Sequence, residues 1–189
     1  MDNLIVGITG ASGSVYGLRL VEELAHGGRT VSVVATDTGR KVTAHETGRT
    51  VEEWLTPLPG VRVEAVDNFF APIASGSYGA QGMVVAPCSM ATLGAVAGGA
   101  GRNLLDRAAD VMVKERRPLI LMVRETPLSA IHLENMLKLA RLGVTILPAM
   151  PGFYHRPETL ADAVDFMVGK ALDALAIEHN LYRKWGKEQ

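Results

Sequence analysis

The sequence predicts an α/β fold in which helices flank one doubly wound parallel sheet. Three observations carry that expectation. Short β-branched or apolar runs recur at 4–8, 31–35, 83–86, 119–123 and 144–147, each bounded by Gly, Pro or polar residues, as strands buried on both faces usually are. Between them lie segments of helical period, so strand and helix alternate along the chain. Aromatic residues make up only 5%, whereas the chain holds 20 glycines; this suits close helix-on-sheet packing better than an aromatic-lined sandwich.

Taken in order, the first strand runs into Gly10-Ala11-Ser12-Gly13 and a helix over 15–25, and the second into Thr36-Asp37-Thr38 and a helix over 38–47. Residues 49–80 carry Pro57, Pro59, Gly60, Pro72, Gly76 and Gly79 around a possible strand at 61–66 and read as an irregular excursion. The strand at 83–86 is followed by Pro87-Cys88-Ser89-Met90 and by helices over 91–97 and 104–114. The strand at 119–123 is followed by Arg124-Glu125-Thr126-Pro127 and a helix over 128–141. A loop from Pro148 to Pro157 then leads to a last helix over 158–177, whose Leu160, Val164, Met167, Ala171 and Leu175 fall on one stripe. The tail 180–189 is polar apart from Leu181, Tyr182 and Trp185. All 189 residues are expected to form one domain.

Composition narrows the function. Nineteen basic and twenty acidic residues give a formal charge of −1 without a basic arm, so nucleic acid is a poor partner. The only cysteine, Cys88, excludes an intramolecular disulfide framework and any zinc site built on two thiolates of one chain, and fits a reducing cytoplasm. Met1-Asp2-Asn3 lacks a basic leader, and no apolar stretch approaches the roughly 20 residues of a bilayer span. The five histidines show no ligand spacing, so no protein-held metal is expected.

In open α/β sheets ligands bind beyond the carboxyl ends of the strands, so the segments after the strands read as one composite site. Gly7, Gly10 and Gly13 are spaced G-x-x-G-x-x-G, neither the dinucleotide fingerprint nor a phosphate loop ending in Gly-Lys-Ser/Thr. The turn leaves amides and a positive helix end for a phosphate, with Ser12 adding a hydroxyl; the bland alternative is a tight strand-to-helix turn. Ser89 and Thr92 either touch a ligand or simply cap a helix. Cys88 reads as a buried filler rather than a nucleophile. Arg107 and Lys114 are two turns apart on one helix face, which is either a solvated basic face or an anion site. Arg124-Glu125 directly follows an apolar strand and favours function, with the arginine holding phosphate or carboxylate and the glutamate tuned for proton transfer. Phe153-Tyr154-His155-Arg156 adds aromatic faces and anion partners, and Lys170 borders the apolar stripe of the last helix.

Long ordered blocks join these residues: 7–13 with Tyr16-Gly17, 74–77, 82–89, 107–111, 114–119, 124–128, 132–136 and 151–155. Across almost the whole chain they resemble the UbiX-type flavin prenyltransferase family, flavoproteins formerly called aromatic acid decarboxylases, with a Rossmann-like or flavodoxin-like fold. The resemblance implies transfer of a dimethylallyl group from dimethylallyl phosphate to N5 and C6 of reduced FMN, making prenylated FMN for a UbiD-type decarboxylase. It implies that Gly10, Ala11, Ser12, Thr36, Ser89, Met90, Ala91, Thr92 and Arg124 hold FMN. Lys114, Arg124, Glu125, Tyr154, Lys170 and Trp185 would surround the prenyl donor, and Ser12, Glu46, Arg107, Lys114 and Glu125 would serve catalysis. It also implies a homododecamer with sites shared between subunits.

Two departures stand out. Gly98-Gly99-Ala100-Gly101 is unusually rich in glycine, and Lys170 stands where relatives often carry Arg, which weakens a bidentate phosphate contact there. The alternatives are an FMN-dependent cysteine-type oxidative decarboxylase, whose relatives carry Pro-Ala-Met-Asn where this chain has Pro148-Ala149-Met150-Pro151, and a non-catalytic flavin-binding subunit of a decarboxylase complex.

Overall fold

The structure, a computed structural model, describes residues 3–186. Met1 and Asp2, on which the reading of the amino terminus rested, and the last three residues of the polar tail lie outside the described residues. In chain order the elements are β1 (Asn3–Ile8), α1 (Ser14–His26), β2 (Thr30–Ala35), α2 (Asp37–Thr47), α3 (Val51–Leu55), β3 (Val61–Glu64), β4 (Gly82–Cys88), α4 (Met90–Gly98), α5 (Leu104–Lys114), β5 (Leu119–Val123), α6 (Ala130–Arg141), β6 (Thr145–Ile146) and α7 (Leu160–Ala174). Two 3-10 turns, Pro72–Ala74 and Gly76–Tyr78, precede β4.

All six strands pair in parallel in the order β3-β2-β1-β4-β5-β6. Alternate side chains explain why the central strands read as continuous apolar runs. Leu4, Val6 and Ile8 of β1 and Ile120 and Met122 of β5 pack with α1, α3 and α7 on one face. Ile5 of β1 and Leu119, Leu121 and Val123 of β5 pack with α4, α5 and Leu139 of α6 on the other. A parallel sheet covered on both faces has no polar side to show.

The excursion at 49–80 is more ordered than expected. Thr50 accepts from the Glu53 amide and the Glu53 carboxylate accepts from the Thr50 amide, a reciprocal cap that starts the short α3. Val51 and Leu55 of that helix are fully buried. The strand expected at 61–66 stops at Glu64, and that expected at 144–147 shrinks to Thr145–Ile146. The apolar stripe of the last helix also needs correction. Leu160 is 87% exposed, while Phe166, Met167, Val168, Ala171 and Leu172 make the buried face, so helical period alone places Leu160 wrongly.

Helix α1 lies so close to β4 that a Cβ at Gly17 would collide with the carbonyl oxygen of Ala86, a backbone atom that cannot swing away. Gly17→Ala is therefore expected to cost about 1–3 kcal/mol through overpacking, read as a fall in melting temperature. Gly98→Ala, where an added Cβ meets nothing within 4 Å, should melt as the wild type does. Equal melting temperatures for all three proteins would contradict the close approach of α1.

Candidate functional site

Strand order reverses between β1 and β4, so α1 and α4 leave on opposite faces and a crevice opens at the carboxyl ends of these strands. Thr9, only 1% exposed, closes the floor. Its hydroxyl donates to the Pro87 carbonyl at 2.7 Å and accepts from the Ser89 amide at 2.8 Å, while its own amide donates to the Pro87 carbonyl at 3.3 Å. Pro87 has no N–H for the ladder, and the β4–β5 register shifts between Val85 and Cys88. Sequence reasoning passed over Thr9; its only signal is a polar residue directly after an apolar strand.

Around this floor four loops meet. Gly13 adopts φ 102° ahead of α1, a left-handed conformation that favours glycine. The expected open amides of that turn are only partly open. Glu46, in the last turn of α2, accepts from the Gly13 amide at 3.0 Å, from the Ser14 amide at 2.9 Å and from the Ser14 hydroxyl at 2.6 Å. A side chain from a neighbouring helix thus supplies the anion that the helix end attracts. The amides of Ala11 and Ser12 have no protein acceptor among the described residues. Partial burial pushes the Glu46 carboxyl upward, but hydrogen bonds from Ser12, Ser14 and the turn amides outweigh it and leave the carboxyl below its ordinary range.

Thr36 caps α2 by accepting from the Gly39 amide at 3.0 Å. Ser89 caps α4, accepting from the Thr92 amide at 3.3 Å and lying 3.2 Å from the Thr92 hydroxyl. The capping geometry considered for Ser89 and Thr92 is therefore realised, with Met90 half-buried and Ala91 exposed beside it. Arg124 spans the crevice: its amide donates to the Cys88 carbonyl at 3.1 Å and its Nε to the Ser12 carbonyl at 3.1 Å. Glu125 next to it is exposed, its Oε1 accepting from the Thr126 amide at 2.9 Å. Cys88 is fully buried, and desolvation, with the charge of Asp106 adding to it, pushes its thiol up to about 12.

A second group gathers on the loop before α7. The Tyr154 ring stands edge-on to Trp185 at 5.5 Å and to Phe166 at 5.6 Å. His155 stacks on Phe166 at 4.8 Å, and both its ring nitrogens are buried without a partner. Tyr154, Arg156, Arg183, Lys184 and Trp185 line a cleft here. Lys170 Nζ lies 3.8 Å from Asp173.

Arg107 and Lys114 sit elsewhere. The Arg107 Nε donates to the Ala74 carbonyl at 3.1 Å and its Nη1 pairs with Asp110 at 2.8 Å, while Lys114 pairs with Glu115. Lys114 ends α5, which returns the chain to the start of β5, where the Pro118 carbonyl meets the Met83 amide. A five-residue strand of about 16 Å separates that end of the sheet from Arg124. One chain therefore leaves Lys114 at the foot of the sheet, while Arg107, near the start of the same helix, is spent on the Ala74 carbonyl and Asp110 rather than on a crevice residue.

The family model for Flavoprotein matches residues 1–181. The chain is 53% identical to the flavin prenyltransferase UbiX of Halalkalibacterium halodurans, over 97% of this chain and 93% of that one. The chain belongs to the flavoprotein family, among its UbiX-type flavin prenyltransferases. A solved structure of AnUbiX in complex with FMN and dimethylallyl pyrophosphate is similar over 100% of this chain and 99% of that one, with a TM-score of 0.94 and 36% identity. A dodecameric FMN-dependent UbiX-like decarboxylase from Escherichia coli O157:H7 is similar over 98% of this chain and 100% of that one, with a TM-score of 0.93 and 40% identity.

The depressed Glu46 carboxyl makes a stability prediction for this flavoprotein. Because the folded form holds the carboxylate more tightly than the unfolded chain does, its contribution is present above the ordinary glutamate range and lost as pH falls through the folded value. Thermal melts of Glu46→Gln should lie furthest below wild type above the ordinary glutamate range and converge with it as pH falls below that range. A deficit independent of pH would show that the charge of Glu46 is not what α1 uses.

Proposed function

We propose that this flavoprotein transfers a dimethylallyl group from dimethylallyl phosphate to N5 and C6 of reduced FMN, the product passing to a UbiD-type decarboxylase. The observation that carries this reading is a single residue, Arg124, tied by its backbone amide to the loop after β4 and by its guanidinium to the loop after β1, in a chain whose curated relatives bear that activity in their name. The crevice fits the phosphate of a flavin mononucleotide. Two turn amides, the capped ends of α2 and α4, and the two Nη groups of Arg124, which have no protein acceptor among the described residues, all offer donors there. Gly10, Ala11, Ser12, Thr36, Ser89–Thr92 and Arg124 would hold it.

Bound FMN supplies the reduced ring that accepts the allyl group. Everything else falls to the chain. Cleaving an allylic phosphate needs cations for the departing oxygens and an acid to protonate them. Arg124 and Lys170 are the cations proposed for the departing phosphate, and Glu125, exposed at the crevice mouth, is the carboxyl proposed for the proton transfer. Tyr154 and Trp185 present aromatic faces that keep water from an electron-poor allyl group. Ser12 and Glu46 share a hydrogen bond beside the crevice.

Arg107 and Lys114 enter through assembly. A second copy whose α5 end docks at the crevice completes the cation set, and unpartnered apolar side chains stand ready for such contacts: Phe70 is 99% exposed and Ile131 68%. A dodecamer is the assembly proposed, in keeping with the Escherichia coli neighbour. A reducing cytoplasm is the proposed setting, where the buried Cys88 thiol meets no oxidant. Among the described residues no helix is long and apolar enough to cross a membrane.

Mass spectrometry of the flavin after incubation with dithionite and dimethylallyl phosphate tests the reaction. The wild type should add one prenyl group; unchanged flavin would overturn the reading. Glu125→Gln should retain FMN and slow single turnover by about 10²-fold, as loss of general acid–base catalysis does. Lys114→Ala should also be slow, but oligomers co-assembled from the two variants should recover about a quarter of wild-type turnover, because sites built from two chains regain both residues in some pairings. No recovery would place both residues on one chain's site.

A further inference from the structure

On the reading of the donor pocket given above, we infer that Asp173 is a positioning residue: its carboxylate seats the C-terminal tail on α7 and thereby holds Trp185 against Tyr154, with Lys170 facing the same carboxylate. Among the described residues the chain beyond α7 forms no further helix or strand, so something other than backbone pairing must fix it. The last backbone ties are the amides of Leu175, Ala176 and Ile177 to carbonyls of α7. From Glu178 to Gly186, every hydrogen bond that reaches the rest of the described chain ends on Asp173. The Tyr182 hydroxyl donates to Oδ2 at 2.5 Å, the Lys184 ammonium to Oδ1 at 3.0 Å, and a His179 ring nitrogen lies 3.2 Å from Oδ1. Lys170, one turn earlier on α7, shares the carboxylate at 3.8 Å.

Packing repeats the message without charge. A Cβ at Gly169 would lie 2.5 Å from the Tyr182 ring and 2.6 Å from the His179 ring, so the tail rests directly on bare helix backbone. From there the Tyr182 ring reaches Phe166 at 4.8 Å, Phe166 reaches Tyr154 at 5.6 Å, and Tyr154 reaches Trp185 at 5.5 Å. Hydrogen bonds to a carboxylate and a run of ring contacts therefore act on the same segment, 178–186. The carboxylate is held well below the usual aspartate range, near about 2, because hydrogen bonds from Tyr182 and Lys184 and the nearby charges outweigh the desolvation that opposes them.

Two substitutions loosen the tail by different physics: Asp173→Asn removes the charge, and Gly169→Ala fills the space under the rings. Both should bind FMN as the wild type does. Both should raise the KM for dimethylallyl phosphate by about tenfold while kcat changes by less than about threefold, the pattern of lost donor binding rather than lost chemistry. Trypsin should cut after Arg183 and Lys184 about tenfold faster in both, since a released segment opens more often. Unchanged KM in both variants, or loss of FMN affinity along with KM, would overturn the assignment. Tail release is scored without turnover, so a wild type that makes no prenylated flavin defeats the functional reading alone, and a tail that stays protected in both variants defeats the role of Asp173.

Discussion

The hydroxyl of Thr9 joins the two strands between which the sheet reverses its winding. At such a switch point, loops diverge to opposite faces and their backbone groups lose neighbours. By donating to Pro87 and accepting from the Ser89 amide, Thr9 satisfies both sides and ties the end of β1 to the start of α4. Removing it would leave the Ser89 amide unpaired, at a cost of about 1–3 kcal/mol, and the Pro87 carbonyl with only the longer bond from the Thr9 amide. Arg124 then has fixed walls to span, from Cys88 to Ser12. The crevice exists because the floor is stitched; the charges merely use it.

Most of the sheet was legible because a strand buried on both faces must be largely apolar, and the interiors of β1, β4 and β5 are, with Ser32 the one buried polar residue of β2. What escaped did so for physical reasons. β3, expected as a possible strand at 61–66, ends two residues early at Glu64, and α3 is five residues long, too short for a period to show. Leu160 obeys the helical repeat yet meets solvent, because period says which side of a helix a residue is on and nothing of what lies opposite. In the site, Arg124 announced itself by following an apolar strand. Glu46 as the anion on α1 and Asp173 as the anchor of the tail did not, since each depends on a contact between elements that no local pattern encodes.

The same distinction separates what one chain builds from what it leaves to others. Loops at strand ends converge by topology alone, so Ser12, Thr36, Ser89 and Arg124 come together. Lys114 ends α5 at the foot of β5, because a helix that must return the chain there cannot also end at its head, and Arg107 near the start of α5 is held on Ala74 of the first 3-10 turn and on Asp110. Charged residues committed to the far end of the sheet can serve the crevice only across a contact between copies, and a polar tail can serve it only while something pins it down.

The account stands on the carboxyl ends of β1, β2, β4 and β5 being where FMN binds. Amide hydrogen exchange, compared with and without oxidised FMN, tests that directly. Slowed exchange confined to Gly10–Gly13, Asp37–Thr38, Ser89–Ala91 and Arg124–Thr126 is the result predicted. FMN binding that leaves those amides unchanged and protects the opposite end of the sheet, around Arg116–Pro118 and Gly143–Thr145, would contradict it.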